Sequence, residues 1–103
     1  MKKNNFASID DIIKIVKKGG MYILVDDESK HDEMENEGDL VISASDVSPT
    51  KINFMAKYAR GLICLAMDKN QSNKLSLTLA SPVNQSRSKT AFTYSIEAKK
   101  GVT

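Results

Sequence analysis

Apolar residues recur with a helical period near the start of the chain. Four of them are spaced three or four residues apart and fall on one face of a helix: Ile9, Ile12, Ile13 and Val16. Ser8 is placed to cap this helix, Asp11 stands where the acid of a capping box belongs, and Gly19-Gly20 can end it. The pattern predicts a well-capped amphipathic helix.

Two short apolar runs follow, at residues 21–25 and 40–44. Each is rich in strand-forming side chains and too short for a stable helix, so each predicts a β-strand. The first run delivers Asp26-Asp27-Glu28 into a loop, and further acidic residues precede the second run. These carboxylates should therefore lie on the connection between two strands, where a rigid scaffold aims loop side chains at a ligand.

The rest of the chain alternates helix and strand signals. Ser48-Pro49 provides a cap followed by a first-turn proline, and a buried stripe runs from there to Gly61. Residues 62–67 form a continuous apolar run that predicts a central strand covered on both faces. A short helix over 68–75, a polar loop over 81–89 and a strand over 91–98 complete the pattern. It predicts one mixed α/β domain over residues 1–103, with helices packed on a sheet.

Composition excludes several classes of function. The formal net charge is only +2 and the lysines are scattered, without the basic patch and interleaved aromatic residues of a nucleic-acid-binding protein. No apolar run approaches the roughly 20 residues that cross a bilayer, and no signal-peptide hydrophobic region follows the first residues. A single cysteine, Cys64, forms no internal disulfide, which fits a reducing compartment. We expect a cytoplasmic protein of 41% hydrophobic content that binds neither nucleic acid nor membrane.

The densest chemical signal is the acidic motif Glu35-Asn36-Glu37-Gly38-Asp39. Three carboxylates this close repel one another unless solvent, protonation or a cation relieves them. Gly38 is expected to let the backbone turn sharply enough for the side chains to converge, and oxygen-only ligands suit a hard ion such as Mg²⁺ or Mn²⁺. A solvated acidic loop without a bound ion remains open on spacing alone.

Several separate motifs occur in the order found in one enzyme family. They are Val25-Asp26-Asp27-Glu28, the acidic motif extended through Leu40-Val41, Ile52-Asn53-Phe54-Met55-Ala56-Lys57, Arg60-Gly61-Leu62-Ile63-Cys64-Leu65, Thr90-Ala91-Phe92-Thr93, Ser95-Ile96-Glu97-Ala98 and Gly101-Val102-Thr103. From about Ser8 to its last residue the chain resembles the N-terminal half of 3,4-dihydroxy-2-butanone 4-phosphate synthase (DHBP synthase). The resemblance implies a partial DHBP-synthase-like fold and a homodimer. It also implies a lyase of riboflavin biosynthesis that converts ribulose 5-phosphate to 3,4-dihydroxy-2-butanone 4-phosphate and formate.

The resemblance also implies roles for individual residues. Glu35 matches the ligand of a catalytic Mg²⁺ or Mn²⁺ and contacts the substrate. Glu37 and Asp26 match catalytic carboxylates, and Asp39 matches a catalytic acid that also contacts the sugar hydroxyls. No organic cofactor is implied. Two further residues match positions that bind the substrate: Cys64 and Thr93. From the residues alone, Cys64 also reads as a small hydrophobe buried in its strand.

The chain departs from the family pattern in two respects. Residues 29–34 make the acidic loop roughly four residues longer, and Met34 stands where the family has a substrate-binding arginine, whose fixed donors a thioether lacks. The family's metal-binding histidine, phosphate-binding basic segment and a further catalytic glutamate belong to its other half, and His31 reads as a solvated side chain. We therefore expect the isolated chain to be inactive. A degenerate non-catalytic remnant and a dimerising interaction module remain alternatives.

Overall fold

The computed structural model describes residues 5–25, 37–81 and 91–101. The backbone divides into two compact units, Met1–Leu65 and Ala66–Thr103. Each unit is described below by itself. No helix among the described residues is long and apolar enough to span a membrane.

The first unit begins with the predicted amphipathic helix, α1, over Ile9–Lys17. The Ser8 hydroxyl oxygen accepts a hydrogen bond from the Asp11 backbone N–H at 3.2 Å, which satisfies one of the otherwise unpaired donors of the first turn. Gly19 ends the helix with φ +75°, a conformation that strains any residue with a Cβ. The predicted caps at both ends of this helix are confirmed.

An antiparallel hairpin follows, built of β1 (Tyr22–Val25) and β2 (Gly38–Val41). In its register Tyr22 lies opposite Val41 and Val25 lies opposite Gly38. Strand β1 agrees with the prediction. Strand β2 begins two residues earlier than predicted and ends at Val41, because its pairing partner β1 offers only four residues. The acidic motif therefore ends inside a strand and not entirely in a loop.

The chain then makes a short 3₁₀ turn over Ala44–Asp46 and enters α2, Pro49–Phe54. The Ser48 hydroxyl caps α2 by accepting from the Lys51 N–H at 3.3 Å, as predicted. The helix continues as a π-helical turn over Met55–Ala59, which contacts β2. It stops at Arg60, whose φ of 60° and ψ of −161° place a non-glycine residue in a region that glycine alone adopts readily.

Among its described residues, the second unit has one helix, α3, over Lys69–Lys74, within the predicted residues 68–75. Asp68 caps it by accepting from the Gln71 N–H at 2.7 Å. An isolated antiparallel bridge joins Leu79 to Thr93. Two backbone hydrogen bonds flank this bridge, from Ala80 N–H to Phe92 O at 2.9 Å and from Tyr94 N–H to Thr78 O at 3.2 Å.

Two predicted strands are wrong. Residues 62–67 carry no strand, and Leu62 is 73% exposed where coverage on both faces was expected. Residues 91–98 contribute only the single bridge at Thr93. A strand needs a partner whose backbone groups complete its hydrogen bonds, and no strand among the described residues pairs with the run 62–67.

The mixed α/β class is confirmed, since helices and a two-stranded sheet occur together. The side chains of the described residues are loosely packed. None of the described side chains is buried, and the most exposed large apolar residue, Ile9, is 74% exposed. The described residues therefore form elements with correct caps and pairing but without an enclosed hydrophobic core.

Candidate functional site

The acidic motif is described from Glu37 onward. Glu37 immediately precedes β2, and Asp39 lies on β2 opposite Leu24; both carboxylate-bearing residues are exposed. Two other predicted site residues, Asp26 and Glu35, lie outside the described residues. The last two carboxylates of the motif are thus exposed to solvent at the N-terminal end of β2.

Gly38 does not have the turning role predicted for it. It is the first residue of β2, pairs with Val25, and is not among the glycines with positive φ in the described residues. A Cβ at this position would lie 3.6 Å from side-chain carbons of Ile23 and Val25, which is ordinary van der Waals contact. Gly38 is therefore a strand residue, and the sharp turn predicted for it is wrong.

The described carboxylates alone do not make a metal centre. Within residues 5–25, 37–81 and 91–101, no three His, Cys, Asp or Glu side chains lie close enough together to hold an ion. Glu37 and Asp39 have the donor chemistry that a hard divalent cation prefers, since both offer carboxylate oxygens. Glu35, the predicted ligand, lies outside the described residues.

Two of the predicted substrate-binding residues, Cys64 and Thr93, lie in different units. Cys64 is a free thiol in the first unit and is exposed, so its reading as a buried hydrophobe within a central strand is wrong. Thr93 lies in the second unit at the bridge to Leu79, is half-buried, and donates its hydroxyl to Tyr94 O at 3.0 Å.

An open apolar groove lies between α1 and β1 in the first unit. It is lined by Phe6, Ala7, Ile9, Ile12, Tyr22, Ile23, Leu24 and Val25. Since none of these side chains carries a charge, the apolar groove offers nothing to hold a phosphate. The helical spacing of the apolar residues in α1 predicted an apolar helix face, but it did not indicate that this face stays uncovered.

Sequence reasoning missed Lys51. Its ammonium nitrogen donates to two backbone carbonyl oxygens, Gly19 O at 3.1 Å and Asp46 O at 2.9 Å. These two hydrogen bonds join the turn after α1 to the 3₁₀ turn after β2. Lysines are common on helix surfaces, so no sequence signal separates this half-buried one from its exposed neighbours.

The chain is similar in sequence to one family of known proteins. A family model described as 3,4-dihydroxy-2-butanone 4-phosphate synthase matches residues 10–103. Proteins of that name from Photobacterium phosphoreum, Pseudomonas aeruginosa and Helicobacter pylori are 45%, 46% and 45% identical over 94%, 93% and 92% of this chain. The chain spans only 26%, 25% and 26% of their respective lengths, about a quarter. No solved structure matches the chain.

Proposed function

Because the chain belongs to the 3,4-dihydroxy-2-butanone 4-phosphate synthase family, we propose that it provides the N-terminal part of a lyase of riboflavin biosynthesis. The proposed reaction converts ribulose 5-phosphate to 3,4-dihydroxy-2-butanone 4-phosphate and formate. The observation that carries the proposal is the family match over residues 10–103, which includes the complete acidic motif. The whole activity is proposed for a protein of the relatives' length, about a quarter of which this chain spans.

We assign Glu35 as the protein ligand of a divalent metal, Mg²⁺ or Mn²⁺. The donor set supports this, because the motif offers only oxygen ligands and a hard ion commonly takes one or two protein carboxylates. When bound, the metal would polarise the sugar carbonyl and neighbouring hydroxyls as a Lewis acid. The residues of this chain would then handle the protons and orient the sugar.

Glu37, Asp39 and Asp26 are the proposed proton-transfer groups. The reaction removes a proton beside a carbonyl and expels water, so it needs carboxylates that accept and return protons at defined atoms. Asp39 is exposed on β2 and is held in place by backbone pairing opposite Leu24. A carboxylate fixed on a strand is positioned more accurately than one on a free loop.

Cys64 and Thr93 are proposed to contact the substrate, and Glu35 and Asp39 to bind its hydroxyls. Both the Cys64 thiol and the Thr93 hydroxyl are polar groups of a size that suits a sugar hydroxyl. The substrate is a small sugar phosphate, and we propose a cytoplasmic homodimer as the working assembly. These assignments rest on residue-by-residue match to the family motifs.

A non-catalytic interaction module is the second candidate. Met34 favours it, because a thioether cannot supply the donors of the arginine found there in the family. The apolar groove also favours it, since exposed apolar patches mark contact surfaces. A catalytically silent remnant would share both features.

The test is formate release from ribulose 5-phosphate, measured with and without EDTA. The 103-residue chain should release none above background, because positioning by the family's remaining residues is worth orders of magnitude in rate. A longer protein carrying those residues should be active, should need divalent metal, and should lose activity by about a hundredfold or more with Glu35→Gln or Asp39→Asn.

The matched control is Asp10→Asn, the same chemical change on the exposed first turn of α1. It should leave formate release within about twofold of the parent, since surface substitutions have small effects. Activity of the short chain would contradict the need for the remaining residues. Metal-independent activity of the longer protein would contradict the role of Glu35.

A further inference from the structure

The register of the β1–β2 hairpin determines which face of the hairpin carries the Asp39 side chain. Because successive strand residues point to opposite faces, a slip of one residue would move Asp39 from one face of the hairpin to the other. Something must therefore hold Leu24 opposite Asp39 and Tyr22 opposite Val41.

The connecting loop is too long to set that register. Twelve residues, 26–37, separate Val25 from Gly38. Tight turns of two to five residues fix hairpin register through their own geometry, and longer connections do not. The register of this hairpin is therefore not set by the geometry of a tight turn.

Burial is also too weak to set it. Register is strongly specified where one strand face is packed in a core. Here β1 has one half-buried and three exposed residues, and β2 has two of each, with none buried. A slipped pairing would lose little apolar contact relative to the observed one.

At the opposite end of the hairpin, hydrogen bonds from Lys51 join the segments that flank the two strands. Gly19 lies three residues before β1 and Asp46 lies five residues after β2, and the Lys51 ammonium donates to the carbonyl oxygens of both. Both acceptor residues are fixed by backbone hydrogen bonds of their own. Gly19 N–H donates to Val16 O at 3.0 Å, and Asp46 N–H donates to Ser43 O at 2.9 Å.

Close approach of the two turns supports this tie. A Cβ added to Gly19 would lie 3.5 Å from the Asp46 carboxyl carbon, so the turn after α1 packs directly on the 3₁₀ turn. A one-residue slip would displace β2 by about 3.4 Å along β1. That displacement is comparable to the lengths of the hydrogen bonds themselves and would break at least one of them unless both turns rearranged.

We propose that Lys51 is a positioning residue that sets the register of the β1–β2 hairpin and so fixes the face on which Asp39 is presented. The consequence for catalysis rests on the proposed function; the register itself does not. Lys51 acts through the backbone carbonyl oxygens of Gly19 and Asp46.

Disulfide trapping measures the register directly. In a Cys64→Ser background, Ile23→Cys with Leu40→Cys reports the observed pairing, and Ile23→Cys with Val41→Cys reports a one-residue slip. In the observed register the Cβ atoms of positions 23 and 41 point to opposite faces of the hairpin, which prevents a disulfide, so the ratio of the two cross-linking rates measures the register. We expect the observed pairing to cross-link at least about tenfold faster in the parent chain.

Lys51→Met should lower that ratio by about fivefold or more, because the slipped pair gains what the observed pair loses. Lys51→Arg should restore it, since a guanidinium can donate to both carbonyl oxygens. Lys57→Met is the matched control: it makes the same change in the π-helical turn, where the Lys57 ammonium lies 5.1 Å from the centre of the Tyr58 ring.

Ser8→Ala distinguishes a specific loss of register from a general loss of stability. It removes the α1 cap and should leave both Lys51 hydrogen bonds intact. An unchanged ratio in Lys51→Met overturns the proposal, and so does an equal fall of both cross-linking rates. A ratio that falls as far in Ser8→Ala as in Lys51→Met overturns it too. Because no enzyme assay is involved, the outcome is independent of whether the proposed function holds.

Discussion

The apolar groove predicts that the isolated chain self-associates. Four of its large aliphatic side chains are strongly exposed: Ile9 at 74%, Ile23 at 68%, Leu24 at 57% and Val25 at 44%. Together they leave uncovered the apolar surface of between two and three whole side chains. At about 2 kcal/mol for burying each such side chain, one copy would gain about 5 kcal/mol, and two copies about 10 kcal/mol.

Association costs at least about 4 kcal/mol in lost translational and rotational freedom. The remaining gain of about 5 to 6 kcal/mol corresponds to a Kd on the order of 100 µM. Sedimentation velocity between about 10 µM and 1 mM covers the range that this Kd requires. We expect the mean sedimentation coefficient to rise with concentration across it.

Ile23→Thr keeps a strand-forming residue and removes the groove's second most exposed side chain. Each copy would lose about 1.4 kcal/mol, so the symmetric dimer should weaken by roughly a hundredfold. Ile96→Thr is the matched control, since Ile96 is 65% exposed but lies in the second unit. A monomer up to 1 mM with a cooperative melt would refute the reasoning, as would an equal effect of both substitutions.

Three further predictions concern single residues. Calorimetry should find at most weak Mg²⁺ or Mn²⁺ binding by the isolated chain, and tight stoichiometric binding that survives Glu35→Gln would contradict the ligand assignment. Arg60→Gly should raise the urea midpoint, because relief of about 1–3 kcal/mol of backbone strain exceeds the roughly 0.5–1 kcal/mol entropic cost of glycine; a lower midpoint would show that the Arg60 conformation is not strained. Ser48→Ala should cost about 1 kcal/mol by removing the α2 cap, seen as lower helicity by circular dichroism.

The local signals in the sequence were sufficient for the helices. Ser8, Ser48 and Asp68 each accept a hydrogen bond from the N–H three residues later, as helix capping requires. Such contacts depend on residues close in the chain, so the sequence contains everything needed to predict them. The same holds for β1, whose apolar run is bounded by Gly19-Gly20.

The π-helical turn and Lys51 could not be predicted in this way. Met55–Ala59 has the apolar spacing of an ordinary helix, and its wider turn appears only where it contacts β2. The partners of Lys51 include Gly19, which lies 32 residues away in sequence. Contacts of this range depend on the tertiary arrangement, which a single-residue signal does not encode.

The candidate site was predicted by motif match, and the structure constrains only part of it. Asp39 is placed on β2 and Glu37 immediately before it, whereas Asp26 and Glu35 lie outside the described residues. Their roles stay predictions. The role of Gly38 was wrong because glycine is compatible with both a turn and a strand, and the pairing with Val25 decided between them.

The apolar run at residues 62–67 shows why strand propensity alone is insufficient. A helix satisfies its backbone hydrogen bonds within its own segment, whereas a strand depends on another segment to do so. Arg60 and Gly61, just before the run, both have positive φ, and Leu62 and Leu65 are 73% and 61% exposed. The run has the composition of a core strand and lacks a paired neighbour among the described residues. Its exposed leucines therefore add to the apolar surface that the apolar groove already presents, and they strengthen the expectation that this chain associates through apolar contacts.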